Sequence, residues 1–331
     1  MTEIQHNDWL GESLSHRKVF PGPLSLEPFS SELFVDAVTR GGGTLQALSE
    51  TTKGLIWLSP TGAAELQAKL DSHPGVEWIQ LPWAGVDAFA PVLSRLATMP
   101  PESRPVVTSA KGAYSEPVAE HALALLLGCM RELPKKARDA QWQAERTGRS
   151  LFGRHIVVVG AGGVARAFIQ LVEQFRPEIT VVRRTRERVE RATRTITPDE
   201  LATYLPQADA LVVAAAATGQ TQHMVNREIL QRLPSHAVLV NVARGSLVDI
   251  DAVVDAVRAD GLFGAGLDVM EPEPFPDDHP VWQEKRIVIT SHSADTPPMT
   301  APLLARRIET NVTSFLAGKQ MTGVVDVEAG Y

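Results

Sequence analysis

Short, uninterrupted apolar runs alternate with helix-length segments along most of the chain. Clear examples are 155–159 (HIVVV), 179–183 (ITVVR) and 237–241 (AVLVN). A strand covered on both faces reads as continuously apolar, whereas a strand with one solvent face alternates. Regular alternation of strands and helices requires right-handed crossovers and gives a parallel sheet. The pattern therefore predicts an α/β protein with helices on both faces of its sheets.

The apolar runs fall into two sets, which predicts two domains. The weaker set is N-terminal and comprises 54–58, 76–81 and 106–108. The stronger set comprises the three runs above together with 208–214, 264–269 and 286–290. At 331 residues the chain is longer than one hydrophobic core usually serves. A helical pattern from Glu116 to Glu145 runs between the two sets.

The domain division is predicted to be discontinuous. The helical tail 303–318 (LLARRIETNVTSFLAG) would have to return to the first domain. We therefore predict two Rossmann-like, doubly wound parallel-sheet domains with a cleft between them. Residues 1–111 and 295–331 would form a flavodoxin-like substrate domain, and 112–294 a dinucleotide-binding domain.

Three helix ends are predicted from capping residues. Thr197, Pro198 and Glu200 form a capping box with proline at the first helical position. Asn226 is placed to cap the helix that follows it. The pattern from Asp249 to Asp260 predicts a helix that ends at Gly261 as its C′ glycine.

Composition and charge exclude several classes of protein. Hydrophobic residues make up 44% and charged residues 21%, as in ordinary globular domains. A net charge of −7 disfavours a nucleic-acid binder, whose surface is normally basic. The single cysteine, Cys129, cannot form an internal disulfide, and the apolar run 121–130 is about half a membrane span. We predict a cytoplasmic protein without membrane segments, and no spacing of residues predicts a metal site.

A glycine-rich turn follows the apolar run 155–159 and opens a helix. It reads Gly160-Ala161-Gly162-Gly163-Val164-Ala165, a G-x-G-x-x-A pattern in strand–turn–helix context. The first glycine permits the turn, the second lets the backbone approach a pyrophosphate, and the small last residue lets the helix lie close to the strand. The helix N-terminus then offers N–H groups to phosphates. The pattern predicts a dinucleotide site.

The end of the next predicted strand indicates which dinucleotide would bind. A carboxylate there would accept the free ribose 2′-hydroxyl of NAD. The sequence instead has Arg183, Arg184 and Thr185, and either arginine could pair with a 2′-phosphate. We predict a preference for NADP(H) over NAD(H), although a solvated basic turn would look the same.

A proton-transfer site is predicted from residues near predicted strand ends. The segment 267–292 (LDVMEPEPFPDDHPVWQEKRIVITSH) contains Glu273 and His292, and Arg244 lies upstream in NVARGS. A histidine paired with a carboxylate can donate a proton, and a guanidinium binds a carboxylate in a planar, two-pronged fashion. Taken singly, Arg244 could be a loop residue near Asp249 and Glu273 a solvated turn acid. Together, beside a dinucleotide turn, they favour a catalytic site.

Four ordered motifs resemble those of the D-isomer-specific 2-hydroxyacid dehydrogenase family. They are GAGGVA, NVARGSLVD, GLDVMEPEPFPDDHPVW and ITSHSA, supported upstream by VEWIQLPWAGVDAF and EPVAEHALALLL. The resemblance runs from about Trp57 to the end, and is greatest to the branch that reduces glyoxylate and hydroxypyruvate. The loop after 208–214 lacks the proline and the histidine often found there, which puts the adenine contacts in doubt.

The resemblance implies roles for particular residues. Arg244 would bind the substrate carboxylate, His292 would be the acid/base, Glu273 its partner, and Asp268 would lie near the nicotinamide carboxamide. Further predicted cofactor and substrate contacts lie in loops after strands: Ala215, Ala216, Val242 and Ala243 for the cofactor, and Ala84, Gly85 and Val86 for the substrate. The segment 82–87 (PWAGVD), which contains these three residues, could equally be a simple turn between a strand and a helix. We predict that His121, in an apolar helix, is packed or lies at a domain seam.

The predicted function is NAD(P)H-dependent reduction of a small 2-keto acid to the D-2-hydroxy acid, by a homodimer built through the dinucleotide-binding domain. A formate-type dehydrogenase is disfavoured because Glu273 stands where those enzymes carry an amide. A phosphoglycerate dehydrogenase remains an alternative, although we expect this chain to have no room for a regulatory domain. The non-enzyme alternative is a nucleotide-sensing binding module of the same fold.

Overall fold

The computed structural model describes residues 19–330 and divides the chain into two compact units. One unit comprises residues up to Tyr114 together with those from Pro297 onward, and the other is Ser115–Thr296. The predicted boundaries were after 111 and 294. The predicted assignment of 1–18 to the first domain lies outside the described residues. The chain therefore leaves its first unit and returns to it through the last long helix.

The first unit contains a parallel sheet flanked by helices. Its described elements are β1 (Leu24–Glu27), α1 (Glu32–Arg40), β2 (Gly54–Trp57), α2 (Ala63–Ser72), β3 (Trp78–Gln80), α3 (Ala90–Ala97), β4 (Val106–Thr108) and α10 (Pro297–Leu316). The strand order is β1-β2-β3-β4. A single bridge from Leu45 adds a further parallel neighbour outside β1. If the bridge at Leu45 is counted as a strand, it is the second of five along the chain. The spatial order of the five is then 2-1-3-4-5, which is the flavodoxin-like order.

The second unit contains a larger parallel sheet. Its described elements are α4 (Ser115–Met130), α5 (Leu133–Lys136), β5 (His155–Val159), α6 (Gly163–Val172), β6 (Glu178–Val182), β7 (Arg194–Ile196), α7 (Leu201–Tyr204), β8 (Ala210–Val213), α8 (Arg227–Gln231), β9 (Val238–Asn241), α9 (Ile250–Arg258), β10 (Gly264–Leu267) and β11 (Ile287–Ile289). The seven strands lie in the order β11-β10-β9-β8-β5-β6-β7. The order reverses between β5 and β8, where Rossmann-type sheets bind nucleotides. The predicted fold class, two parallel α/β sheets, is confirmed.

Burial of these strands explains their apolar composition. Every residue of β5, β8, β9 and β10 is buried. Helix α4 packs closely on β10, because Gly266 has no side chain: a Cβ there would lie 2.8 Å from Cβ of Leu125. Helix α9 buries Val253, Val254 and Val257. Continuous apolar runs thus correspond to strands with both faces covered.

Several predicted element ends are confirmed and others are wrong. The Thr197–Glu200 capping box is present, and the Asn226 side chain accepts a hydrogen bond from the Ile229 amide. The predicted C′ role of Gly261 is wrong, because Asp260 adopts the left-handed conformation, with φ of 54°.

The long helix predicted over 116–145 is shorter in the structure. Helix α4 ends at Met130, and Glu132 adopts a left-handed φ of 54° before the short α5. A single left-handed residue interrupts the helical hydrogen-bond ladder. Strands β1 and β7 were not predicted, since LSLE and RTI carry polar residues that mask the apolar signal. Within 19–330, none of the helices has the length and apolarity needed to cross a membrane.

A buried polar network joins α10 to the sheet of the first unit. The Asn311 amide nitrogen donates to Gln80 Oε1 and to the Thr322 carbonyl, both at 2.9 Å. Its Oδ1 accepts from the Thr322 amide at 2.8 Å. Asn311 and Gln80 are fully buried, so removal of one partner would leave other polar groups without hydrogen bonds. This network attaches the returning C-terminal segment to the N-terminal sheet.

Replacing Asn311 by leucine tests that attachment. We expect Asn311→Leu to lower the free energy of unfolding by about 3 kcal/mol, because the Thr322 amide and the buried Gln80 oxygen each lose a hydrogen-bond partner. Urea denaturation followed by intrinsic fluorescence would measure the change. The matched control is Gln320→Leu at an exposed position of the same unit, expected to stay within about 0.5 kcal/mol. Equal effects of the two substitutions would contradict the role of Asn311.

Candidate active site

The candidate residues of the second unit follow parallel strands, so they gather at one edge of the sheet. Gly160 follows β5, Arg244 lies just beyond β9, and Asp268 follows β10. His292 lies shortly after β11. The strands pair in parallel, so all their carboxyl ends point to the same side. This edge is where open α/β sheets bind ligands.

Two glycines of the turn, Gly160 and Gly162, differ in whether the structure has room for a side chain. Gly160 has φ of +105°, and a Cβ there would overlap the Ala214 carbonyl. Gly162 has φ of −72°, and a Cβ there would meet no atom within 4 Å. Gly160 is therefore required by the fold itself. Gly162 leaves open space at the start of α6, where a phosphate could approach the backbone.

The rest of the turn suits the same ligand. Ala165 is fully buried, so its small size brings α6 against the sheet. The Arg166 Nε donates to the Ala161 carbonyl at 3.1 Å and thereby braces the turn. Gly163 and Val164 form the first turn of α6, whose N–H groups have no partners within the helix. These features fit the pyrophosphate of a dinucleotide.

The arginines of the basic segment after β6 have different surroundings. The Arg183 guanidinium pairs with the Glu187 carboxylate at 2.9 Å, and its side chain is 8% exposed. Arg184 and Thr185 are exposed at the end of the strand. Arg186 pairs with Glu200 at 3.1 Å. The sequence left Arg183 and Arg184 equally eligible to bind a 2′-phosphate, whereas in the structure Arg183 is largely buried and Arg184 is exposed.

His292 and Glu273 form a hydrogen-bonded pair. His292 Nδ1 lies 2.7 Å from Glu273 Oε2, and Glu273 Oε1 accepts from the Met270 amide at 3.1 Å. Because a carboxylate only accepts, Nδ1 carries the proton and Nε2 is the other ring nitrogen. Both side chains are about half exposed. The pair can thus exchange a proton with a molecule bound at this edge.

Asp268 is the buried centre of the same turn. Its Oδ1 accepts from the Thr290 hydroxyl at 2.6 Å and the Ser293 amide at 2.9 Å, and its Oδ2 from the Ala294 amide at 3.3 Å. Burial alone would raise the pKa of the Asp268 carboxyl, but hydrogen bonds from His121, Thr290 and the Ser293 amide hold that pKa below its usual range. Asp268 is therefore a carboxylate that shapes the His292 turn.

Arg244 lies on a turn built by a buried asparagine. The Asn241 side chain donates to the Arg244 carbonyl and accepts from the Ala243 amide, both at 3.0 Å. Gly245 allows the turn to approach the next loop, because a Cβ there would overlap the Met270 carbonyl group. The Arg244 guanidinium donates to the Ala243 carbonyl at 2.8 Å. These contacts hold the Arg244 backbone against the loop that carries Glu273.

A further carboxyl lies close to Arg244 and His292. Burial raises the pKa of the Asp295 carboxyl; the charges of His292 and Arg244 act in the opposite direction, and that of Asp268 adds to the rise. The Asp295 carboxyl therefore interacts electrostatically with His292, Arg244 and Asp268. Sequence reasoning did not single out Asp295.

The remaining predicted contacts divide between exposed and buried positions. In the loop after β8, Ala215 is half-buried and Ala216 is exposed. Val242 and Ala243 have buried side chains, so only their backbone could face a ligand. In the first unit, Ala84 is exposed, Gly85 is half-buried, and the Val86 side chain belongs to an apolar cluster with Phe89. Val86 could therefore contribute through its backbone alone.

Besides Asp295, sequence reasoning did not place three further residues at this edge. Asn241 ends β9 and is fully buried, and Thr290 and His121 both reach Asp268. His121 was predicted to be packed or at a domain seam, and its ring is hydrogen-bonded to Thr290. A buried asparagine at a strand end was the available signal for Asn241. Nothing in the sequence linked His121 to positions so distant along the chain. No group of metal-ligating side chains occurs within 19–330.

Comparison with known proteins relates this geometry to a family. Residues 123–294 match the model of the D-isomer specific 2-hydroxyacid dehydrogenase, NAD binding domain. An uncharacterised Corynebacterium melassecola protein is 31% identical over 300 residues, covering 89% of this chain and 95% of that protein. A glyoxylate reductase from Korarchaeum cryptofilum is 29% identical over 233 residues, covering 67% and 69% of the two chains.

Two solved structures have the same fold. A D-isomer specific 2-hydroxyacid dehydrogenase from Xanthobacter autotrophicus in complex with NADPH and MES aligns with a TM-score of 0.77 at 22% identity, covering 94% of this chain and all of that one. An NADPH-dependent glyoxylate/hydroxypyruvate reductase from Sinorhizobium meliloti in complex with NADP and sulfate aligns with a TM-score of 0.74 at 18% identity, with the same coverage.

The two glycines of the turn should respond differently to alanine. We expect Gly162→Ala to leave the melting temperature unchanged but to weaken binding of NADH and NADPH about tenfold or more, because its methyl group would occupy the space of the pyrophosphate. Gly160→Ala should lower the melting temperature as well, since it adds backbone strain and overlaps Ala214. Thermal unfolding and fluorescence titration of the cofactors would measure both. Unchanged cofactor affinity in Gly162→Ala would contradict the placement of the pyrophosphate.

Proposed function

The chain belongs to the D-isomer-specific 2-hydroxyacid dehydrogenase family, and on that basis we propose that it reduces a small 2-keto acid to the D-2-hydroxy acid. Membership makes it an NAD(P)-dependent oxidoreductase. The observation that carries the proposal is the 2.7 Å pair of His292 and Glu273, at the same sheet edge as the glycine turn. A proton donor is what the reduction of a carbonyl requires beside a hydride source.

In the proposed reaction, His292 supplies the proton. When bound, the reduced nicotinamide supplies the hydride to the carbonyl carbon. The His292 Nε2–H donates its proton to the carbonyl oxygen as negative charge develops there. Glu273 accepts from Nδ1 and so orients the ring with Nε2 free to face a substrate. The Met270 amide holds the second oxygen of Glu273, which fixes the carboxylate towards the ring.

Arg244 is proposed to bind the substrate carboxylate. A guanidinium binds a carboxylate through two parallel hydrogen bonds and remains charged at all working pH values. The Asn241 and Gly245 contacts hold its backbone in place. Backbone N–H groups of the Ala84–Gly85–Val86 loop are proposed as additional carboxylate donors, by resemblance to the family. A keto acid is thus bound by its carboxylate and protonated at its carbonyl.

The names of relatives support a small keto acid as substrate. The Korarchaeum cryptofilum relative is a glyoxylate reductase, and the Sinorhizobium meliloti neighbour is a glyoxylate/hydroxypyruvate reductase. We therefore propose glyoxylate or hydroxypyruvate as the substrate type. Turnover assays with glyoxylate, hydroxypyruvate, pyruvate and phenylpyruvate, using NADPH and NADH, test this directly. No turnover with any of them would contradict the reductase and favour a nucleotide-sensing module.

The charge of Glu273 should be essential to turnover. We expect Glu273→Gln to lower kcat by about 10²-fold or more with little change in KM, because the amide keeps the shape of the side chain but removes the negative charge that accepts from His292 Nδ1. His292→Ala should lower kcat further while sparing cofactor affinity. The matched control is Glu271→Gln, another exposed glutamate followed by proline in the same loop, expected to keep wild-type kcat. Equal losses in the two glutamate variants would contradict the assignment.

We further propose a preference for NADP(H), carried chiefly by Arg184 with support from Thr185 and Arg183. Arg184 is exposed at the end of β6, where the adenosine ribose of a bound dinucleotide is expected. The ion pair of Arg183 with Glu187 stabilises the turn that presents Arg184. Two structural neighbours contain NADPH or NADP, which agrees with this proposal.

Cofactor preference can be tested at Arg184. We expect Arg184→Ala to raise the Kd of NADPH about tenfold or more and to leave that of NADH unchanged, because only NADPH has a 2′-phosphate. Fluorescence titration with both cofactors would measure the change. Arg188→Ala, an exposed arginine of the same segment, should alter neither affinity. Equal weakening of NADH and NADPH in Arg184→Ala, or faster oxidation of NADH by the wild type, would contradict the preference.

A homodimer formed through the second unit completes the proposal. Two large apolar side chains are exposed in the segment after α4: Leu133 at 56% and Trp142 at 97%. Exposed large apolar groups mark protein interaction surfaces. We also propose a cytoplasmic location, supported by the single buried thiol of Cys129 and by the use of NAD(P).

A further inference from the structure

His121 approaches the turn of His292 from helix α4. Its Nε2 lies 2.9 Å from the Thr290 hydroxyl oxygen and 3.4 Å from Asp268 Oδ1. Its side chain is 23% exposed, so the ring is largely enclosed. His121 lies on a different element and far along the chain from both partners. The three side chains nevertheless form one hydrogen-bonded cluster.

The direction of these hydrogen bonds follows from proton counting. The Thr290 hydroxyl has one proton, and it donates that proton to Asp268 Oδ1 at 2.6 Å. The bond between Thr290 and His121 must therefore be donated by His121 Nε2. This proton also points towards the Asp268 carboxylate, which only accepts. His121 thus donates into the buried carboxylate cluster whether its ring is neutral or protonated.

The cluster continues into the backbone of the His292 turn. Asp268 accepts from the amides of Ser293 and Ala294, and its carbonyl accepts from the amide of His292. The amides of three consecutive residues, His292, Ser293 and Ala294, thus donate to Asp268. A change in the position of the Asp268 carboxylate would move the His292 backbone directly.

The turn needs such support because its backbone is strained. Ser291 and His292 adopt left-handed φ values of 48° and 52°. Neither is glycine, and the left-handed conformation is unfavourable for a residue that carries a Cβ. Consecutive left-handed residues persist only where surrounding contacts hold them. Here those contacts are the hydrogen bonds to Asp268.

We propose that His121 is a positioning residue for His292, acting through Thr290 and Asp268. The proposal rests on the proposed function, because it assumes that the position of His292 matters for proton transfer. The other charged groups around the turn are Glu273, Arg244 and Asp295. Among the hydrogen bonds of Asp268, those from Thr290 and the two amides come from the turn segment itself. His121 is the donor that ties the cluster to helix α4.

The test compares two substitutions of His121. In His121→Gln the amide nitrogen reaches about where Nε2 lies and keeps a donor, whereas His121→Leu removes it. We expect His121→Leu to lower kcat about 10- to 100-fold with KM and the Kd of NADPH within about twofold, since misplacement affects the transition state most. His121→Gln should restore most of kcat. His73→Leu, at a half-buried histidine of the other unit, should keep wild-type kcat.

A second variant tests the route of the effect. Thr290→Val removes the hydroxyl that lies between His121 and Asp268. If the effect passes through Thr290 and Asp268, the double variant His121→Leu/Thr290→Val should lose little more than the worse single variant. Multiplication of the two losses would overturn the proposed route.

A measurement without substrate separates this proposal from the proposed function. Hydrogen exchange at the Ser293 and Ala294 amides, followed by NMR on the free protein, should be faster in His121→Leu and return towards the wild type in His121→Gln. Failure of the wild type to reduce any keto acid would remove the proposed function while leaving this exchange result to stand. Unchanged exchange at both amides, or equal loss of kcat in the Gln and Leu variants, would overturn the positioning role.

Discussion

The Asp268 carboxylate is the interaction on which the candidate site depends. It is 2% exposed and accepts hydrogen bonds from the Thr290 hydroxyl and from the amides of Ser293 and Ala294. A buried carboxylate without partners would be neutral or strongly destabilising. Because these donors surround it, Asp268 remains charged and fixes the backbone on both sides of His292. The strained turn and the His292–Glu273 pair both follow from this one group.

The parallel sheet explains why such a cluster can form from distant residues. Strands β9, β10 and β11 pair in parallel, so their carboxyl ends bring Asn241, Asp268 and Thr290 to one edge. The Asn241 side chain hydrogen-bonds the loop that carries Arg244, and the Asp268 side chain hydrogen-bonds Thr290 and the loop that carries His292. Each loop then carries one chemical group: Arg244 on the first, and Glu273 and His292 on the next two. Buried residues therefore shape the loops, and half-exposed residues on those loops can contact a ligand.

The two glycines of the turn also differ in what the structure requires of them. Gly160 is required by the backbone, because its φ is positive and the Ala214 carbonyl leaves no room for a side chain. Gly162 has an ordinary φ and open space around it. Folding by itself therefore does not require a glycine at this position. Arg183 and Arg184 also differ: the Arg183 side chain is 8% exposed and pairs with Glu187, whereas Arg184 is exposed.

The amino-acid sequence by itself determined the fold class, the glycine turn and the family. Continuous apolar runs report burial on both faces, and burial is a local consequence of composition, so the central strands were predicted within a few residues. Strands β1 and β7 and the end of α4 were not, because polar edge residues and a left-handed Glu132 depend on their surroundings. Only the tertiary structure decided that His121, Asn241, Thr290 and Asp295 lie around the candidate site. The contacts of His121 with Thr290 and of Thr290 with Asp268 join residues far apart in the chain, and no local pattern of hydrophobicity or spacing encodes such contacts.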